Sequence, residues 1–200
     1  MSKIAPTVLM ARFESELSLQ ITAQAVDRVE QAEQVLLNHK QHIASARDQL
    51  VSLVATQPKA LLLITSQLQE IYLGNSYNSC RLPLEAVGFQ LVYPPNFNDK
   101  DFESPISLEI LPELNKADAI ILLGYNFNDL KQLDSMDRFE ENQLSKLKQA
   151  WEENAISQSL DASQAGRVYF IPTYLCAGLP GPIGTELYLE ALKNHLLAPN

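Results

Sequence analysis

The sequence predicts an α/β protein: a mainly parallel sheet with helices on both faces, a Rossmann-like lobe preceded by one long helix. Three observations carry that expectation. Ala60–Ile64 and Ala119–Leu123 are short, wholly apolar runs, as expected of strands covered on both faces. Such runs alternate with helical stretches, the pattern of a parallel sheet with crossover helices. Ahead of them a single apolar stripe at spacings of three and four runs from Val29 to Leu53.

Taken in order, Ile4–Met10 reads as a short apolar strand interrupted by Pro6, followed by a helical stretch from about Phe13 to Ala25. Asp27-Arg28-Val29-Glu30 has the form of a capping box with Asp27 as N-cap. Behind it Val29, Ala32, Leu36, His39, Ile43, Ala46, Leu50 and Leu53 form one face of a helix that Pro58 stops. At the usual rise per residue that helix is roughly 40 Å long. The stripe also fits the a and d positions of a dimeric coiled coil, although Ala32, His39 and Ala46 make a poor zipper. A helix lying across a domain is the favoured reading.

Beyond Lys59 the elements shorten. Ala60–Ile64 is a strand and Ile71–Leu73 a second extended segment. Arg81–Val87 reads as a short helix with Pro83 in its first turn and Gly88 closing it. Gln90–Tyr93 is a strand ended by Pro94-Pro95, and Ser107 caps a short helix that Pro112 stops or kinks. Ala119–Leu123 is a strand stopped by Gly124, Asp134–Gln158 a helix with a polar outer face, Arg167–Ile171 the last strand and Ile183–Leu197 the closing helix.

The composition, with 46% hydrophobic and 20% charged residues in 200, allows one sizeable core plus some extra helix and argues against disorder. Net charge is −9 with scattered basic residues, which argues against a nucleic-acid surface, since phosphate binding needs concentrated Lys and Arg. No stretch has the length of a membrane span, and Met1-Ser2-Lys3-Ile4 opens no apolar run of secretory-signal length. That leaves a cytoplasmic chain, a mature form or a fragment of something longer. Cys80 and Cys176 are too few for a disulfide framework and lack zinc spacing. Two ordinary thiols is the plain reading, with one disulfide open if the compartment is oxidising.

Enzyme signatures are missing. There is no G-x-G-x-x-G after a strand, no phosphate-binding P-loop and no G-x-S-x-G elbow. Gly178-Leu179-Pro180-Gly181-Pro182-Ile183-Gly184 can present N–H groups to an anion, but with two prolines it reads first as a tight turn and helix start. His39 and His42 have ligand spacing without a third ligand nearby, and Glu140-Glu141 and Glu152-Glu153 read as solvated charge. The chain is expected not to be an enzyme and to carry no cofactor.

Leu84-Glu85-Ala86-Val87-Gly88-Phe89, Ser107-Leu108-Glu109-Ile110-Leu111, Lys116-Ala117-Asp118-Ala119-Ile120-Ile121, Trp151, Gly166-Arg167-Val168-Tyr169 with Ile171-Pro172, and Gly181-Pro182 occur in that order behind the long helix. Together they resemble the C-terminal lobe of the substrate-binding proteins of ferric-siderophore and cobalamin ABC importers. In that family two α/β lobes are joined by one long helix, with the ligand in the cleft between them. The resemblance implies that residues 1–25 are a remnant of the N-terminal lobe, 26–57 the connecting helix and 58–200 the ligand-binding lobe, most of the N-terminal lobe being absent. It also implies capture of an iron–siderophore complex without chemistry, delivery to the importer's permease, and a periplasmic or cell-surface location.

In an open parallel sheet the ligand sits off the carboxyl ends of the strands. The loops there are Gly74–Arg81, Gly124–Asp129 and Pro172–Pro180. They offer Asn75, Ser76, Tyr77, Asn78, Arg81, Tyr125, Asn126, Asn128 and Tyr174, whose amides, hydroxyls and rings suit the oxygens and apolar parts of an iron chelate. Arg81 can meet an anionic ligand or pair with Glu85 four residues on. Glu85 resembles the acidic residue with which this lobe docks on a permease arginine, and reads equally as an exposed helix glutamate. Cys80 and Cys176 fall in two of the three loops, which is the best argument for a disulfide across the cleft floor, with two ordinary thiols still the favoured reading. Ferric citrate, hydroxamate, catecholate, haem and cobalamin all remain open as ligands. The competing reading is a stand-alone interaction domain that dimerises through its long helix and binds no small molecule.

Overall fold

The computed structural model describes residues 15–74, 77–95, 104–128 and 135–198, the side chains of Ser15 and Asp137 excepted. The strand expected at Ile4–Met10 lies outside the described residues. Two helices open the described chain, α1 (Ser15–Ala25) and α2 (Val29–Thr56). The expected capping box does not form. Asp27 takes the left-handed conformation (φ 54°), Arg28 is the N-cap of α2 and no side chain caps that end. The Arg28 N–H instead donates to the Ala23 carbonyl at 2.7 Å and the Asp27 N–H to that of Gln24 at 3.5 Å, so Asp27 terminates α1 in a Schellman turn. Asp is one of the few residues that tolerate this backbone, and that use displaced the cap.

The lobe that follows is a five-stranded sheet in which β1 (Lys59–Thr65), β4 (Ala119–Gly124) and β5 (Val168–Pro172) lie side by side and parallel. The outer edge of β1 is shared. β3 (Gln90–Leu91) pairs parallel with its start, and β2 (Tyr72–Leu73) pairs antiparallel with its end. Thr65, fully buried at the end of β1, organises the return to β2: its hydroxyl accepts from the Gln67 N–H at 2.9 Å and contacts the Glu70 carbonyl at 2.8 Å.

Alternate residues of the strands feed two cores. Ala60, Leu62, Ile64, Ile121, Leu123 and Ile171 face α2, α3 (Asn78–Ala86) and α7 (Pro182–Leu196), which contribute Leu50, Leu84 and Tyr188. Leu61, Leu63, Ile120 and Leu122 face the other way, against Leu111 of the 3-10 helix Leu108–Leu114 and against Leu147 and Trp151 of α4 (Met136–Glu153). Both faces are therefore dry, which is why the strands read as unbroken apolar runs. Gly184 is fixed by packing: a Cβ there would collide with the Leu179 carbonyl oxygen.

Several boundaries differ from expectation for identifiable reasons. The single helix expected over Asp134–Gln158 is broken at Asn154, whose Oδ1 accepts from the Ile156 and Ser157 N–H groups at 2.9 and 3.1 Å and starts α5 (Ala155–Gln158). A third short piece, α6 (Asp161–Gln164), then leads into β5, and the Trp151 indole donates to Ser163 Oγ at 3.2 Å across it. α3 begins at Asn78, so Pro83 sits in its second turn. Ser107 does cap the following helix, accepting from the Glu109 N–H at 3.3 Å, but the helix is a 3-10 one with Pro112 inside.

The long helix is bound to its own chain. Ala32 and Leu36 are buried in the half that packs on α1, Ala46 and Leu50 in the half that packs on α7 and α3. Arg47 Nε donates to the Ala86 carbonyl at 2.7 Å, and His42 Nδ1 lies 3.2 Å from Glu186 of α7.

Candidate functional site

Parallel strands deliver three chain segments to the same end of the sheet, off the carboxyl ends of β1, β4 and β5. A cavity of about 710 Å³ opens there. Its walls are aromatic: Tyr72 from β2, Tyr77 ahead of α3, Tyr125 and Phe127 after β4, Phe139 from α4 and Tyr174 from the 3-10 turn Thr173–Leu175 that follows β5. The rings form two pairs. Tyr125 and Phe127 stand 5.5 Å apart, Phe139 and Tyr174 5.3 Å. Phe127 is 75% exposed, an apolar ring left in water at the mouth. Most binding sites for organic ligands have this character, apolar walls with few polar groups.

Each wall is held from behind. Gly124 ends β4 because α4 presses against it: a Cβ would stand 2.7 Å from Leu144 and 3.1 Å from the Gln143 carbonyl oxygen. Gln143, only 4% exposed, donates from Nε2 to the Asn126 carbonyl at 2.8 Å and accepts the Asn126 N–H on Oε1 at 2.9 Å. The Asn126 amide donates to Asn142, and its Oδ1 accepts from the Asn128 N–H at 2.9 Å. The Tyr174 hydroxyl donates to Glu140 at 2.7 Å. Burial first, then that bond and the Glu140 charge, raise the Tyr174 pKa well above the ordinary phenol value, so the ring stays protonated and neutral. Beneath the site Cys80 and Cys176 form a disulfide with Cα atoms 4.9 Å apart, joining the first turn of α3 to the turn after β5.

Of the residues expected at a ligand, Tyr77, Tyr125 and Tyr174 are brought together in this cavity. Asn75 and Ser76 lie outside the described residues. Asn126 and Asn128 shape the loop through their own hydrogen bonds and are absent from the cavity wall. Asn78 and Arg81 face elsewhere. The Arg81 guanidinium contacts both Glu85 oxygens at 2.9 and 3.0 Å and donates to Asn78 at 2.9 Å, so the helical pair forms and no free cation reaches the pocket from Arg81. Glu85, on which permease docking was expected, is the partner in that pair, its side chain 36% exposed.

Tyr72, Phe127, Phe139 and Gln143 were not anticipated. Phe139 and Gln143 had a signal, for residues four apart on a helix share a face. Tyr72 had none, because its placement depends on how β2 returns along β1. A recess of about 680 Å³ beside the 3-10 helix Leu108–Leu114 has Glu109 and Glu153 in its wall and no aromatic ring. Among the described residues no group of three or more His, Cys, Asp or Glu side chains converges to hold a metal ion, and no helix is long and apolar enough to cross a membrane.

The family model described as "Periplasmic binding protein" matches residues 1–175. Among solved structures the chain is similar to the triscatecholate siderophore binding protein FeuA of Bacillus subtilis, complexed with ferri-bacillibactin, at 19% identity and a TM-score of 0.66, covering 98% of this chain and 64% of that one. It is similar to Staphylococcus aureus SirA complexed with staphyloferrin B, at 18% identity and a TM-score of 0.68, over 98% of this chain and 65% of that one. A third likeness, at 20% identity and a TM-score of 0.66, is to a FhuD fold-family periplasmic binding protein component of a Fep/Fec-like ferrichrome ABC transporter from Bacillus subtilis, with 100% of this chain and 70% of that one aligned. The chain thus spans 64% of the length of FeuA. No curated protein matches it by sequence.

Proposed function

The chain belongs to the periplasmic binding protein family, and from that premise we propose that it captures an iron–siderophore complex and presents it to the permease of an ABC importer. The observation that carries this is the cavity at the carboxyl ends of β1, β4 and β5, walled by six aromatic rings, which suits the apolar flanks of a chelate. Among the described residues its wall is made mostly of apolar and aromatic side chains, which suits capture of a ligand. Iron arrives already enclosed by its chelator, and the protein has no need to ligate it. In this reading residues 58–200 are the ligand-binding lobe, 26–57 the connecting helix and 1–25 part of a second lobe. Glu85, at the outward end of α3, is the docking group, with Arg81 as the partner it exchanges for a permease arginine. The buried disulfide fits an oxidising, extracytoplasmic compartment.

Titrating isotope-labelled protein with gallium-loaded siderophores tests the proposal by amide NMR. Shifts are expected at Tyr72, Tyr77, 125–128 and 173–178. Shifts confined to the recess beside Glu109, or none at all, would sink it. Dimerisation through α2 is not favoured, since Ala32, Leu36, Ala46 and Leu50 are already covered by helices of the same chain.

A further inference from the structure

We infer that the chelate this pocket takes is electrically neutral or cationic, of the tris-hydroxamate kind, and that catecholate and citrate chelates are selected against; the inference rests on the cavity being the ligand site. Among the described residues that line it none is Lys, Arg or His. Arg81, the arginine of the adjoining helix, is committed to Glu85 and Asn78. The charge that touches the wall is negative: Glu140 accepts the hydrogen bond of the Tyr174 hydroxyl at 2.7 Å. The chain as a whole carries −9.

Charge balance then separates the chelate classes. Ferric iron held by three catecholates bears three negative charges, and ferric dicitrate is also an anion. Either would lose water against ring faces with no cation opposite, and a desolvated charge without a partner is strongly disfavoured. Three hydroxamates, each a monoanion, cancel the ferric charge, and a chelator that also carries an ammonium group gives a cation. The negative faces of tyrosine and phenylalanine rings attract cations and pack well on the methylene chains of such chelators. The paired rings Tyr125–Phe127 and Phe139–Tyr174 offer two such surfaces, carried by different segments of the chain.

Calorimetric titration of the full chain with four gallium chelates tests this: desferrioxamine B (cation), desferriferrichrome (neutral), enterobactin (trianion) and citrate (anion). The first two are expected to bind at least about tenfold tighter than the other two. Phe127→Arg alters a side chain 75% exposed, so the fold is spared. It should strengthen enterobactin binding and weaken that of desferrioxamine B. Tighter binding of either anion by the unaltered chain, or indifference of both affinities to Phe127→Arg, overturns the charge assignment and leaves the pocket intact as a ligand site. Absence of binding by all four overturns both.

Discussion

Gln143 holds the backbone of Asn126 by both its hydrogen-bonding groups, donating to the carbonyl at 2.8 Å and accepting from the N–H at 2.9 Å. One buried amide side chain thus acts as a short β-bridge between α4 and the loop that carries Tyr125 and Phe127. Gln143→Leu keeps the volume and leaves both Asn126 groups without partners. Stability should fall by about 1–3 kcal/mol, read as a lowered urea midpoint at constant slope. Amide exchange should accelerate at 125–128 before it does elsewhere.

Asp27 offers a test by sign. Its left-handed backbone is the position where glycine is best tolerated. Asp27→Gly should therefore stabilise the chain by less than about 1 kcal/mol, the relief of the left-handed backbone being partly offset by the extra freedom glycine gives the unfolded chain. If Asp27 capped α2 instead, losing its carboxylate would lower stability, so a destabilised variant would refute the Schellman assignment.

The Cys80–Cys176 bond closes a loop with a sequence separation of 96. Removing a crosslink of that span typically costs about 2–4 kcal/mol. The double variant Cys80→Ala, Cys176→Ala should show that loss in chemical denaturation. The native chain should resist mild reductant, since the two residues are 0% and 1% exposed. A variant as stable as the parent would show that the bond constrains nothing.

Tyr188 is fully buried in the core beneath α7, its hydroxyl without a hydrogen-bond partner. Burial alone raises its pKa far above the ordinary phenol range, and the folded state keeps it protonated. An unfolded chain releases that proton near pH 10. Its contribution is therefore complete below about pH 10 and declines above it, as the unfolded state gains by ionising. Tyr188→Phe should leave stability at pH 7 unchanged or raised and flatten the alkaline decline. Denaturation curves at pH 7 and at about pH 10.5 measure both effects.

The sheet was legible because its strands are buried on both faces, so Ala60–Ile64 and Ala119–Leu123 announce themselves without alternation. The long helix was legible through Ala32, Leu36, Ala46 and Leu50. Asn154 was not, for an asparagine inside a helical pattern breaks it only if its side chain turns to cap the next turn, as it does here for the Ile156 and Ser157 N–H groups. The site was half legible. Loops at strand ends pointed to Tyr77, Tyr125 and Tyr174, whereas Asn126, Asn128 and Arg81 looked like ligand groups and are taken up by neighbours. Polar residues in loops look alike in sequence whether they face a ligand or one another, and only the register of α4 against β4 decides between them. That register also brings in Phe139.

The disulfide has a mechanical meaning as well. It fastens α3, which carries Glu85 outward, to the turn that carries Tyr174 inward. Neither can travel without the other. The start of α3 and the turn after β5 are thus joined by a covalent strut as well as by packed side chains.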